Sequence, residues 1–125
     1  MNIKTISVAK QFGIKPYGRD EGHGQFNGQR FRHELLLPAL NSSEKIIVDL
    51  NGVLGYHASF LEEAFGGVVR LGYFNAQDLL AKLEFRYKSN GTIVLIEKYI
   101  RDAIFDCDKE FRVSMEERYK RQPHA

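Results

Sequence analysis

Ile46-Ile47-Val48-Asp49-Leu50-Asn51-Gly52-Val53-Leu54-Gly55-Tyr56-His57-Ala58-Ser59-Phe60-Leu61-Glu62-Glu63-Ala64-Phe65-Gly66 passes from an apolar stretch, through a glycine-marked loop, into a helical pattern. Residues 46–50 are almost continuously apolar and are bounded by Asn41-Ser42-Ser43 and Asn51-Gly52, the pattern of a central strand covered on both faces with parallel neighbours. After GVLGYHA, Phe60, Leu61, Ala64, Phe65, Val68 and Val69 share one helical face, while Glu62, Glu63, Gly66 and Arg70 share the other. Gly72 is placed to end that helix.

Toward the N-terminus, Ile3–Val8 mixes β-branched and polar residues as a strand does, with Ile6 and Val8 on one face. KPYGRDEGHGQFNG, residues 15–28, holds four of the eleven glycines and reads as a long loop or irregular hairpin. Asn27 is placed to cap a helix, and Phe26 can staple onto Phe31. Phe31, Leu35, Leu36 and Ala39 continue its apolar stripe, and Pro38 is expected to kink or end it near Leu40.

Toward the C-terminus, Asn75 caps a short helix, and Leu83, Phe85 and Tyr87 alternate with Glu84 and Arg86 as a half-buried strand. Ile93, Ile96, Ile100, Ile104, Cys107 and Phe111 recur at helical spacing, which predicts one long C-terminal helix ending in the polar tail EERYKRQPHA. Alternating strands and helices give a single α/β domain. Its expected form is a small mixed sheet centred on residues 46–50, with helices beginning near Asn27, Ser59 and Asn90. Residues 1–105 are read as the domain and 106–125 as a helical extension and tail.

Composition narrows the function. The 125 residues carry 18 Lys and Arg against 16 Asp and Glu, and a formal charge of +2 steers toward neither nucleic acid nor an anionic membrane. A lone Cys107 rules out an internal disulfide framework and fits a reducing compartment. Met1–Lys15 has no apolar core of a signal peptide, and no apolar run approaches the roughly 18 residues of a spanning helix, so a cytoplasmic location is expected. His23, His33, His57 and His124 are scattered and Cys107 has no second thiol, so no metal spacing is present. The glycines at 18, 22, 24 and 28 do not spell G-x-G-x-x-G, and Gly55-Tyr56-His57-Ala58-Ser59 is not a nucleophile elbow. No catalytic residue and no cofactor are expected.

Two groups of residues remain. Ser59-Phe60-Leu61-Glu62 is S-x-x-E, a capping box that would explain the serine by stability alone. A serine at a helix start can also face a partner or carry a phosphate, because free amides and the helix dipole favour an anion there. Arg19, Arg30 and Arg32, with His33, form a basic group around the glycine-rich loop, readable as an anion site or as a solvated face.

Strand, loop and serine-led helix resemble the STAS family, typified by bacterial anti-sigma factor antagonists. The resemblance is closer still to the STAS-like domains of unknown function, on Pro16-Tyr17-Gly18-Arg19, Gly28-Gln29-Arg30-Phe31-Arg32 and Ser59-Phe60-Leu61-Glu62-Glu63-Ala64-Phe65-Gly66. It covers roughly residues 1–105. It implies a non-enzymatic regulatory module with Ser59 at the phosphoacceptor position, Leu61 at the family's following leucine and Asp49 on the preceding strand. It further implies a protein partner such as a histidine-kinase-like ATPase, in a partner-switching circuit of stress response or phage defence. His57, Phe60, Glu62, Glu63 and Arg70 are the expected partner contacts. His57, Ala58 and Phe60 depart from the family's aspartate, first serine and glycine, and Glu62 and Glu63 would repel a phosphate on Ser59. Self-association through the C-terminal helix is a further expectation. The rival class is a nucleic-acid accessory factor using Arg19, Arg30, Arg32 and the tail residues Arg118, Lys120 and Arg121.

Overall fold

β1 (Ile3–Ser7), β2 (Lys45–Asp49) and β3 (Leu83–Arg86) pair side by side in chain order in the computed structural model, which describes residues 2–105. Both pairings are parallel, with Ile6 opposite Val48 and Val48 opposite Phe85. The sheet is therefore parallel throughout, where the sequence reading expects a mixed one. Each successive strand is reached by a helical crossover, and a crossover returns the chain in the same direction.

Right-handed crossovers between sequential neighbours put the intervening helices on one face of the sheet. Burial agrees: Ile6, Ile46 and Val48 are fully enclosed, whereas Thr5, Glu84 and Arg86 on the other face are exposed. Ile47 in the middle of that outer face is half-buried, so the expected cover on both faces of β2 is not present among the described residues.

Ser7 caps the short helix α1 (Val8–Gln11) by accepting from the Lys10 amide, and Val8 is buried beside Ile6. Residues 12–27 then form the irregular hairpin, with one 3-10 turn at Glu21–His23 and cross-links from the Tyr17 amide to the Phe26 carbonyl and from Gly28 to Gly18. Helix α2 spans residues 28–42, and Asn27 caps it through a 2.8 Å bond to the Arg30 amide. Phe26 packs edge-on against Phe12 rather than Phe31, and Phe12 in turn packs against Phe31.

Helix α2 ends at Ser42, two residues beyond the expected Leu40, and Pro38 sits inside its last segment. A π-helical turn at Arg32–Leu36 precedes it, the Leu37 amide reaching the Arg32 carbonyl, and the helix continues through Leu37–Ser42. The wider turn absorbs the missing donor and the ring of the proline.

Helix α3 spans residues 58–70 and contains a second π-helical turn, Glu62–Gly66, between Ala58–Leu61 and Gly67–Arg70. Helix α4 (Ala76–Lys82) is capped by Asn75, and α5 (Asn90–Asp102) by Ser89. The long C-terminal helix predicted from periodicity ends at Asp102, because Ala103 turns extended (φ −64°, ψ 130°) and Ile104 is 82% exposed. Cys107, Phe111 and the rest of the expected extension, 106–125, lie outside the described residues. No helix among the described residues is long and apolar enough to cross a membrane.

Phe31, Phe60 and Phe65 meet at the centre of the core, with Phe31 5.8 Å from each of the other two rings. Phe12 extends this cluster toward the loops and Phe85 toward the sheet. Helices α2 and α3 approach closely at Gly28, where a Cβ would lie 2.7 Å from the Phe60 carbonyl and 3.0 Å from the Ala64 amide. Backbone cannot yield as a flexible side chain can. Gly28→Ala is expected to lower stability by about 1–3 kcal/mol, the range for overpacking, read as a reduced urea midpoint at unchanged slope.

Candidate functional site

Helix α3 begins two residues earlier than S-x-x-E implies. His57 is the N-cap residue, its extended backbone leading into Ala58, and its side chain makes no capping bond. Ser59 is therefore already inside the first turn, half-buried, and its hydroxyl has no hydrogen-bond partner among the described residues. The capping box is not formed, because Glu62 is engaged elsewhere. Both oxygens of Glu62 are bound by arginines: Arg19 Nη1 lies 2.5 Å from Oε1, and Arg70 Nη1 lies 2.6 Å from Oε2.

Glu63 is bound in the same way. Its Oε2 accepts from Arg32 Nη1 at 2.8 Å and Arg70 Nη2 at 3.0 Å, and its Oε1 lies 3.5 Å from Arg19. The π turn in α3 helps to build this cluster. The Gly67 amide, which in an α-helix would bond the Glu63 carbonyl, reaches the Glu62 carbonyl instead, and the Glu63 carbonyl accepts from Arg32 Nη1. A Cβ on Gly67 would overlap that same Nη1. Arg32 is 1% exposed and anchors α2 to α3, while Arg19 ties the hairpin of residues 12–27 to the same point.

Charge follows from geometry. Burial alone would raise the Glu62 pKa, but the hydrogen bond from Arg19 and the charge of Arg70 outweigh it, so the carboxyl is held below the ordinary carboxylate range. Arg19 is held above its usual value by its bond to Glu62. Two carboxylates facing three guanidiniums leave the cluster with no excess negative charge, so the repulsion expected for an anion near Ser59 is largely cancelled.

The basic group does not assemble as an anion site. Arg19 and Arg32 are both bound to Glu63, and Arg30 faces away, paired with Glu34 at 2.9 Å and bonded to the Gln25 carbonyl. Among the expected partner contacts, His57 is exposed, but Phe60 is fully buried in the aromatic cluster. Phe60 lies on the inner face of α3 and presents no surface to a partner. Glu62, Glu63 and Arg70 are part-buried and bound to one another. Arg118, Lys120 and Arg121 of the tail lie outside the described residues.

The exposed feature beside His57 joins the loop that holds this expected contact to the Pro16-Tyr17 motif, together with Lys15 and Leu54, which the sequence reading did not select. Lys15-Pro16-Tyr17 and Leu54-Gly55-Tyr56-His57 enclose an open recess of about 490 Å³ where the chain leaves β1 and β2. The Leu54 amide bonds the Ile14 carbonyl at 2.8 Å, joining the two loops. Tyr56 pins the second loop by donating to the Leu50 carbonyl at 2.8 Å, and burial pushes its phenol well above the usual range. The Tyr17 and His57 rings meet edge to face at 4.8 Å across the recess. Pro16-Tyr17 was the available sequence signal, since it sits in a motif already singled out, but nothing in the sequence places it next to Gly55-Tyr56-His57.

A family model described as a STAS-like domain of unknown function matches residues 27–95, more than half of the chain. The match takes in α2, β2, α3, α4, β3 and the first part of α5. Comparison with curated proteins and with solved structures gives no match.

Three stability measurements test this geometry. Arg32→Met leaves the Glu63 carbonyl without its donor while Arg70 still pairs the carboxylate, and is expected to cost about 1–3 kcal/mol in denaturant unfolding. Ser59→Ala is expected to stay within about 0.5 kcal/mol, since a lost cap would cost about 1 kcal/mol. Glu62 contributes stability that is present above its unfolded pKa and fades as pH falls through its lower folded value. The stability gap between wild type and Glu62→Gln should therefore be full at pH 7 and close progressively below about pH 4.5, measured by urea unfolding across pH.

Proposed function

This chain belongs to the STAS-like domain family of unknown function, and on that premise we propose that it is a non-enzymatic module that docks a partner protein through the loops following β1 and β2. One observation carries the reading. Four of the exposed large apolar residues, Ile14 (51%), Tyr17 (48%), Phe26 (41%) and Leu54 (71%), belong to these two loops. Exposed apolar clusters of this kind mark interaction surfaces, and loops at the carboxyl ends of parallel strands are where such folds place their ligands.

The surface is held rigidly. Arg19 fixes the first loop to α3, the Ile14–Leu54 bond joins the loops, and Tyr56 fixes the second to β2. A preorganised surface loses less conformational entropy on association. STAS-like domains are generally non-catalytic, and family resemblance points to a histidine-kinase-like ATPase as the partner, in cytoplasmic signalling by partner switching in stress response or phage defence. That step rests on fold-level analogy. Modification of Ser59 is a second reading, favoured by its unpartnered hydroxyl on the first turn of α3 and by the neutralised carboxylates below it.

The test is affinity capture from native lysate with the full chain, compared with Leu54→Asp, Tyr17→Asp and a distant control, Val94→Asp. A partner retained by wild type and by Val94→Asp is expected to be lost at least about tenfold by both loop variants, a change of about 1.4 kcal/mol in binding. Equal retention by all four proteins refutes docking at these loops. Intact mass of the captured protein reads Ser59: a phosphate mass absent from Ser59→Ala supports modification, and an unmodified mass in active cells rejects it.

A further inference from the structure

Resting on the docking reading above, we propose that the recess between residues 15–17 and 54–57 takes an apolar side chain of a partner protein segment that carries a carboxylate next to it. The walls supply the apolar part: Pro16, the Tyr17 and Tyr56 rings, and Leu54. The polar groups around them are donors or potential cations. Lys15 is exposed and makes no ion pair or hydrogen bond among the described residues. His57 has only its ring contact with Tyr17, and its side chain leaves the first turn of α3 uncapped.

Among the described residues no acidic side chain lines the recess. Of the acidic residues of the adjoining elements, Asp20 faces His23 and the Gly22 amide, Asp49 accepts from Asn51, Glu62 and Glu63 are held by three arginines, and Glu21, exposed on the 3-10 turn, does not line the recess. The lining is therefore apolar apart from Lys15 and His57, and no carboxylate among the described residues pairs with either. A carboxylate adjacent to an aliphatic or aromatic side chain complements both features. The recess is open rather than enclosed, and exposed Ile14 and Phe26 lie in the same loop system, which favours a protein segment over a small molecule that would need to be surrounded.

Four probes test this with the full chain, read from backbone amide shifts in nitrogen-15 NMR spectra. They are the tetrapeptide amides acetyl-Gly-Asp-Leu-Gly, acetyl-Gly-Asn-Leu-Gly and acetyl-Gly-Asp-Ala-Gly, and free N-acetyl-leucine. The first is expected to shift Tyr17, Gly55 and His57 and to bind roughly threefold to fivefold more tightly than the second, the range of an exposed ion pair. Lys15→Met should abolish that preference while leaving the spectrum of the folded protein intact, and Leu54→Ser should weaken both peptides. Equal binding of the Asp and Asn peptides, binding of the Ala peptide as tight as the first, or tighter binding of N-acetyl-leucine would each overturn the proposal. So would shifts of the recess amides on diluting the free protein, which would assign the recess to a second copy of the chain. If capture in lysate is lost on Leu54→Asp while the tetrapeptides show no preference for Asp, docking stands and acidic recognition falls.

Discussion

Arg32 lies against Gly67, and the charge cluster that joins α2, α3 and the hairpin depends on that contact. A guanidinium this deeply buried must be paired, because an isolated charge in a protein interior is strongly unfavourable. The pairing is supplied by one residue twice over, through the carboxylate and the backbone carbonyl of Glu63. It fits only because residue 67 has no side chain and because the π turn in α3 directs the Gly67 amide to another carbonyl. Two helices of a small domain are thus joined by a charge-assisted contact as well as by the phenylalanine cluster beneath it.

From that joint the rest of the site follows outward. Glu63 and Glu62 are neighbours on α3, and Arg70 spans both from two helical turns later. Arg19 reaches the same carboxylates from the hairpin, so the glycine-rich segment is tied to α3 as well as to the loop after β2. The arginines near residues 19–32 and the carboxylates at 62 and 63 look, in sequence, like an asymmetry awaiting an external partner. Arg19 and Arg32 pair with those carboxylates, and Arg30 pairs with Glu34. What remains unsatisfied is smaller and lies beside them: Lys15, Tyr17, Leu54 and His57 around an open recess.

Much of the fold was legible because its signals are local. Continuous apolar character marked β2, alternation marked β3, and Asn27 and Asn75 cap the helices where their side-chain chemistry placed them. The errors have a common physical origin in competition between local and tertiary contacts. Ser59 and Glu62 match a capping box, but Arg19 from the hairpin and Arg70 from two turns along α3 bind the glutamate more strongly than a backbone amide would. Pro38 reads as a kink or end near Leu40; the helix ends at Ser42, and the irregularity falls before the proline as a π turn. Phe60 next to a candidate serine reads as surface, yet the helical rotation set by Phe31 and Phe65 turns it inward.

The sequence by itself determined the class of the protein: an α/β domain with a STAS-like pattern, its helices and strands set by periodicity and caps, and no motif for metal or cofactor chemistry. Those properties depend on residues close together in the chain, where spacing is the geometry. Only the tertiary structure decided which charges neutralise one another, which side of the sheet is covered and where an unsatisfied surface remains. Arg19 and Glu62 are 43 positions apart, and Ile14 and Leu54 are 40 apart, yet each pair is in direct hydrogen-bonded contact. Pairings at that separation are set by the packing of whole elements, and no local spacing rule encodes them.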